Sequence, residues 1–280
     1  MISLIQPPMI GNALQLYLSP PRGAEYWRVL RKPTNDISGP EDSSAFIAYE
    51  GDDIGFIDSA YLVNETMYFY IPYYRIAGAW VPGAGNYGTP ASTYEDYSTD
   101  VISLVRERLE SGLKVEVERG TLINDLGYIQ VMTAPPSQKT NLSFPLVTVA
   151  LEDESSSERG IGEDIDGGWE DEESHEWLEE NGWLASVSLS IGGYSLNPTE
   201  RRDLRAAIRR VIVANLNVFA DKGIVLPHLS LTDTDAVNGE LGPTPLYLVV
   251  GKFTCTAPIR VGRMADGVIT DINVEATNNG

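Results

Sequence analysis

The sequence predicts two domains: an all-β sandwich over residues 1–90 and an α+β domain, a β-sheet covered by helices, over 91–264. A polar C-terminal tail, 265–280, follows. Three observations carry this prediction. A chain of 280 residues is long for a single hydrophobic core, so two cores are favoured. Up to Pro82, short strand-like runs alternate with turn signals at intervals of about 8–12 residues, the spacing of a sandwich. Beyond residue 98 the apolar period changes to that of a helix, at Val101, Leu104, Val105 and Leu109, and again between Leu204 and Phe219.

The first domain reads in order as follows. Leu14, Leu16 and Leu18 alternate with polar positions, the mark of a half-buried strand. Ser19 to Gly23 is a turn built on Pro20-Pro21, and Tyr26 to Arg31 is the next strand, ended by Lys32-Pro33. Residues 36–44 are loop, Ala45 to Tyr49 a short strand, and Gly51-Asp52-Asp53 a turn. Then comes Leu62-Val63-Asn64-Glu65-Thr66-Met67-Tyr68. In such a run Leu62 plugs the core, Asn64-Glu65 turns the chain, and Tyr68 sends its hydroxyl back to the backbone. That is the tyrosine corner of an immunoglobulin-like sandwich. Tyr68 to Ile76 continues as a strand, Gly78 punctuates it, and Ala79 to Pro82 closes the series. With Pro20-Pro21 and the Trp27/Val29 spacing, the region resembles a fibronectin type III domain. It departs at the usual core tryptophan of the second strand, where Leu18 or Tyr17 stands. Gly83 to Thr93 is a linker rich in Gly, Pro, Ser and Thr.

The second domain opens with a helix at Thr99-Asp100-Val101, which Gly112 is expected to stop. Leu113, Val115 and Val117 alternate with Lys114, Glu116 and Glu118 and read as a strand; Ile129 to Met132 pairs with it or extends it. Pro145 to Leu151 is almost continuously apolar, a central strand. After an acidic segment comes a strand at Trp183 to Ile191. The longest helix follows, with Asn197 as N-cap, Pro198 at the first position and Glu200 three residues past the cap. It runs to Lys222-Gly223, burying Leu204, Ile208, Val211, Ile212 and Phe219. A last strand spans Leu246 to Cys255. The order helix, strand, strand, acidic loop, strand, helix, strand predicts a sheet with two helices on one face.

The formal net charge is −20, unevenly placed: residues 152–180 hold fourteen acids against Arg159 alone. Such a chain is a poor binder of nucleic acid by counterion release, whereas acidic walls would let DNA slide past without sticking. No apolar run approaches the roughly 20 residues that span a bilayer, and Met1 to Ile10, broken by Pro7-Pro8 and without a basic region, does not read as a signal peptide. The lone Cys255 falls in a strand pattern and reads as a buried thiol.

Catalytic patterns do not assemble. His175 and His228 are the only histidines, and neither is spaced with a nucleophile or a second ligand. Gly160-Ile161-Gly162 precedes Glu163 rather than a phosphate-cradling helix start. Asp164-Ile165-Asp166-Gly167 and the run from Asp233 through Asp235, Asn238 and Glu240 have calcium-loop letters without EF-hand spacing. No catalytic residue, cofactor or metal is therefore assigned. Arg201, Arg205 and Arg209 fall at i, i+4 and i+8, with Arg202 and Arg210 beside them. The stripe is either a solvated helix face or a surface that meets carboxylates of a neighbouring copy, for which Arg suits bidentate pairing. Arg201, Arg202, Arg205 and Arg209 facing Glu170, Asp171, Glu172 and Glu173 of the next copy form the candidate subunit interface.

From about 98 to 262 the order of elements resembles the tail terminator proteins of tailed bacteriophages. The elements that carry it are a helix at 101–110, the strand Phe144-Pro145-Leu146-Val147-Thr148-Val149 and a charged excursion containing Ile161-Gly162. After them come the strand Val187 to Ile191, the helix opening Glu200-Arg201-Arg202-Asp203-Leu204 and a closing strand at 246–255. The acidic excursion is longer than that family's loop, and the chain is larger. The resemblance implies a non-enzymatic virion protein of the tail or neck, made in the host cytoplasm. It would form a homo-oligomeric ring, a hexamer, contacting the tail tube protein and the head-side connector or stopper, with DNA as passing cargo and no membrane partner. Alternatives are another virion component (tube, baseplate or head-closure protein), a carbohydrate- or surface-binding protein using Tyr73, Tyr74, Trp80 and Tyr87 as an aromatic platform, and a carboxylate hydrolase.

Overall fold

The structure, a computed structural model, describes residues 1–134, 142–156, 165–166, 169–170, 177–236 and 246–264, a few of them, Glu170 included, by backbone alone. It is mostly β and divides into two compact units, residues 1–95 with the stretch from Gly262, and residues 96–261.

The first unit holds β1 (Ile2–Gln6), β2 (Leu14–Leu18), β3 (Ala24–Lys32), β4 (Phe46–Gly51), β5 (Gly55–Asp58), β6 (Tyr68–Ile76), β7 (Ala79–Pro82) and β8 (Asn86–Gly88). They form two antiparallel sheets, β1-β2-β5 and β4-β3-β6-β7, with β8 also on β6. Leu14, Leu16 and Leu18 of one sheet and Trp27, Val29, Tyr70 and Tyr74 of the other belong to one buried cluster. The period-2 alternation of β2 is what supplies its apolar face. The corner is formed as its letters require: Leu62 is buried, Glu65 turns the chain at φ +63°, and the Tyr68 hydroxyl accepts the Val63 N–H at 3.2 Å.

Two features of this unit differ from expectation. Tyr73 and Tyr74 are only 5% and 1% exposed, because β6 lies inside its sheet between β3 and β7. Trp80 is engaged by the guanidiniums of Arg28 and Arg75, at 5.3 and 5.7 Å from its ring. The four-ring sugar platform is therefore not assembled. Second, a charged group is buried: Arg31 Nη1 meets Asp58 Oδ2 at 2.5 Å, with both side chains at most 5% exposed. Tyr70 donates its hydroxyl to the same carboxylate oxygen at 3.0 Å, Arg31 Nη2 donates to the Ala60 carbonyl at 2.8 Å, and the Phe46 ring lies 4.5 Å from the guanidinium. Burial beside that carboxylate pushes the Tyr70 hydroxyl well above the usual tyrosine range.

The second unit follows the short β9 (Glu95–Asp96). It contains α1 (Val101–Glu118), β10 (Gln130–Met132), β11 (Leu146–Ser156), β12 (Ile165–Asp166), β13 (Trp169–Glu170), β14 (Trp177–Ser195), α2 (Pro198–Ala214), α3 (Leu216–Asp221), β15 (Val225–Ala236) and β16 (Leu246–Met264). The strands form a curled mixed sheet in the order β10-β11-β14-β16-β15, packed against the helices. β10 runs parallel to β11, and β11 runs antiparallel to β14. The core joins Val105, Leu109 and Leu113 of α1 and Leu204, Ile208 and Val211 of α2 to Val147, Val149, Val187, Leu189, Ile191 and Phe253 of the sheet. Cys255 is buried among them, and burial pushes its thiol up to about 11.

The helix starts follow the sequence. Asp100 caps α1 by accepting the Ser103 N–H at 3.0 Å. Asn197 caps α2 by accepting the Glu200 N–H, and Glu200 accepts the Leu196 N–H in return, both at 2.9 Å.

The helix ends do not. Gly112 does not stop α1, which continues through the stretch read as a strand to Glu118. Leu113 extends the i+4 series Val101, Val105, Leu109, and burial of that stripe outweighs the short period-2 run. Gly112 serves packing instead: a Cβ placed there would lie 2.5 Å from Val211 Cγ1. The long second helix is interrupted at Asn215, whose side chain donates to the Val211 carbonyl at 2.8 Å, and resumes as α3 until Gly223 turns at φ +75°. The strand β15, absent from the expected order, takes in Asp233 and Asp235 of the segment read as a calcium loop, and β16 runs on past Cys255 to Met264.

Candidate functional site

α2 presents its arginines on the flank that faces β15. Helical spacing puts Leu204, Ala207, Ile208 and Val211 into the core, which leaves Arg201, Arg202, Arg205 and Arg209 on the outer arc. β15 is the last strand of the sheet, so among the described residues its outer edge carries no partner strand. Between the two elements lies a groove of ≈ 840 Å³. Its floor is apolar, with Ile212, Val213 and Leu216 on the helical side and Pro227, Leu229 and Leu231 on the strand; Arg202, Arg205 and Arg209 rim it. Pro227 lacks an N–H and so belongs on an edge. Leu226 before it adopts φ +51° at a register shift in the ladder, a bulge that marks where regular pairing begins.

The five arginines divide by role. Arg201 pairs with Asp235 and donates to the Thr234 carbonyl at 3.2 Å, and its guanidinium also lies 5.6 Å from the Tyr247 ring. Arg205 meets Asp233 at 3.0 Å. These carboxylates, read from the sequence as calcium ligands, belong to the same chain and are neutralised within it. Arg210 turns the other way, onto Glu116 of α1, at 2.9 Å from Oε1 and 2.5 Å from Oε2. Among the described residues Arg202 meets only its neighbour Asp203, at 3.0 Å. Arg209 makes no ion pair among the described residues and stands exposed at the rim. Arg202 and Arg209 are thus the two guanidiniums of the stripe that face outward.

The acidic half of the expected interface is described only in part. Glu152, Asp153 and Glu154 are exposed on β11, and Glu152 meets Lys252 at 3.2 Å. Glu180 is buried and pairs with Arg260. Glu170 lies on β13, whose backbone pairs with β14; its side chain, together with Asp171, Glu172 and Glu173, lies outside the described residues. The same holds for His175, Gly160-Ile161-Gly162, Asp164, Asn238 and Glu240, while His228 is exposed on β15. Among the described residues no three His, Cys, Asp or Glu side chains converge as metal ligands, and no helix is long and apolar enough to cross a membrane.

The Glu116–Arg210 pair, which sequence reasoning missed, ties α1 to α2 directly beneath the stripe. Glu116 is buried, and Thr121 also donates to its carboxylate. The hydrogen bond from Arg210 holds the Glu116 carboxyl below the usual glutamate range, against a smaller opposing effect of burial. A carboxylate whose folded pKa is depressed contributes stability that is complete above its unfolded value, about 4.3. That contribution is lost as the pH falls through the depressed folded value. Urea midpoints taken from pH 6 down to pH 3 are expected to fall less steeply in Glu116→Gln than in the parent; parallel curves would contradict the assignment.

No protein-family model matches this sequence, and no curated protein sequence matches it. Among solved structures, the chain is similar to the sheath/tube terminator of an extracellular contractile injection system, determined by cryo-EM in the extended state. The TM-score is 0.39 and the identity 16%, over 64% of this chain and 63% of that one.

Proposed function

We propose that this chain is a non-enzymatic structural protein of a tailed-phage virion or related injection apparatus, a ring-forming terminator of the tail tube. The single observation that carries the reading is the α2–β15 face. An apolar groove, an open sheet edge and two outward guanidiniums lie together on a protein that is otherwise strongly acidic. An edge with apolar side chains beside it is costly to leave exposed and is met by another chain. Closed rings arise when one face of a subunit meets a different face of the next. The acid-rich stretch 152–180, with Glu170, Asp171, Glu172 and Glu173, is the second face, and six copies make the ring. The tail tube protein and the head-side connector are its axial partners, and DNA passes through without being held.

The first unit is a fibronectin type III-like module. Its strand order β1-β2-β5 against β4-β3-β6-β7 and the Tyr68 corner support that reading.

Charge reversal at the outward pair tests the assembly. Arg202→Glu with Arg209→Glu is expected to convert the oligomer to a folded monomer in sedimentation velocity, with an unchanged far-UV spectrum. Retention of the parent mass would remove these residues from the interface.

A further inference from the structure

The groove between α2 and β15 has a cationic rim and an apolar floor, and carboxylates alone answer only the rim. The floor, where Val213, Leu216, Leu229 and Leu231 meet, calls for an insert carrying aliphatic or aromatic side chains. Such an insert stands at the opposite end of the same unit, in the turn between α1 and β10.

That turn, residues 123–128, exposes three large apolar side chains: Ile123 at 81%, Leu126 at 46% and Tyr128 at 44%. The local structure fixes this exposure. Leu122 and Ile129 on either side are buried in the core and hold both ends. Between them Asn124 is itself buried. It donates to the Pro145 carbonyl at 3.2 Å, and accepts the Leu126 N–H at 2.8 Å and the Ser143 hydroxyl at 3.0 Å. The Gly127 N–H closes the turn on the Asn124 carbonyl at 3.0 Å, with Gly127 at φ +74°. The apolar side chains are therefore presented on a stiff frame, which lowers the ordering entropy that a contact would cost. An apolar cluster held out in this way marks a contact surface.

Charge and position together choose the partner. Asp125 is the one charged residue from Gly120 to Ile129; it is exposed and makes no ion pair among the described residues. The groove offers Arg209, likewise without an ion pair among them, and Arg202. One carboxylate set among apolar side chains thus matches guanidiniums set around an apolar floor. The sheet runs β10-β11-β14-β16-β15, with α1 packed on β10 and β11 and α2 on β14 and β15. Turn and groove therefore lie at opposite ends of one sheet, with three strands between them, and a chain does not reach its own groove. A surface and its complement at opposite ends of one subunit are what a head-to-tail contact between copies requires. We propose that the 123–128 turn of a second copy seats in the α2–β15 groove, with Ile123, Leu126 and Tyr128 on its floor and Asp125 against Arg209. The proposal rests on the ring reading above and names the contact that propagates it.

Mixing of full-length variants tests the contact. One variant carries Ile123→Arg with Leu126→Arg and keeps an intact groove; the other carries Val213→Arg with Leu216→Arg and keeps an intact turn. All four positions are exposed, so both variants are expected to keep the parent's far-UV spectrum. Should an arginine pair unfold its chain, Ile123→Ser with Leu126→Ser, or Val213→Ser with Leu216→Ser, takes its place. Each variant alone is expected to be a single chain by native mass spectrometry, with the parent oligomer lost. Mixed, they are expected to give a 1:1 pair and nothing larger, because one sound turn meets one sound groove and the other two surfaces are both defective. Either variant retaining the parent's oligomeric mass would overturn the proposal while leaving the ring in place. Two single-chain variants that do not pair on mixing would also overturn it, since turn and groove would then serve different contacts. A parent that is itself a single chain at every concentration would overturn the ring and this contact together.

Discussion

Asp58→Ala is expected to lower the stability of the first unit by about 3–5 kcal/mol, the usual cost of leaving one member of a buried ion pair without its partner. The Arg31 guanidinium has no route to water, since its side chain is 5% exposed and the Phe46 and Tyr68 rings lie against it. The Tyr70 hydroxyl loses its acceptor at the same time, adding an unsatisfied buried donor. The comparison that separates this cause from simple loss of packing is the double replacement Arg31→Met with Asp58→Leu. It removes both charges and is expected to recover much of the loss. Guanidinium chloride midpoints read by tryptophan fluorescence decide it. A single mutant within about 1 kcal/mol of the parent, on the scale of an exposed pair, would show that the group is hydrated and not buried.

Gly112→Leu is expected to be the most damaging change in the second unit. The Cβ alone meets Val211 Cγ1 at 2.5 Å and Cγ2 at 2.7 Å. Val211 is β-branched and confined to one helical rotamer, so it cannot swing aside. Either α1 and α2 separate, opening the core between them, or the Glu116–Arg210 pair breaks. Overpacking of this kind costs about 1–3 kcal/mol or more. The milder Gly112→Ala sets a helix-propensity gain of about 1 kcal/mol against the same contact, and the contact is expected to win. In a Val211→Ala background the sign should reverse, because the alanine Cβ then enters vacated space. A double-mutant cycle with no coupling between positions 112 and 211 would contradict this account of the glycine.

What was legible in the sequence was what local chemistry determines. The corner at Leu62 and Tyr68, the helix opening at Asp100, the cap at Asn197 and the apolar run of β11 each depend on neighbours in the chain, and each is found at its residues. The misreadings have one physical cause, tertiary contact overriding a short local pattern. Gly112 has the form of a helix stop because nothing nearby in sequence announces Val211 across the interface. Leu113 to Glu118 alternates like a strand, yet Leu113 is buried in the core and Glu116 is held by Arg210 of α2. Asp233 and Asp235 have metal-ligand spacing, and only the fold brings Arg205 and Arg201 to them. The candidate site was half visible. The arginine period marked the face of α2, but the groove needs β15, whose Pro227 and mixed polar residues concealed a strand. The Arg31–Asp58–Tyr70 group carried no signal, since its members are distant in sequence and each residue alone reads as surface.

The ring requires self-association through the α2–β15 face. Native mass of the purified full-length chain, measured across a concentration series at moderate salt, tests it most directly. A discrete species at a fixed multiple of 30.7 kDa, reduced to one unit by Arg202→Glu with Arg209→Glu, is the predicted result. A single 30.7 kDa species at every concentration and salt would contradict it.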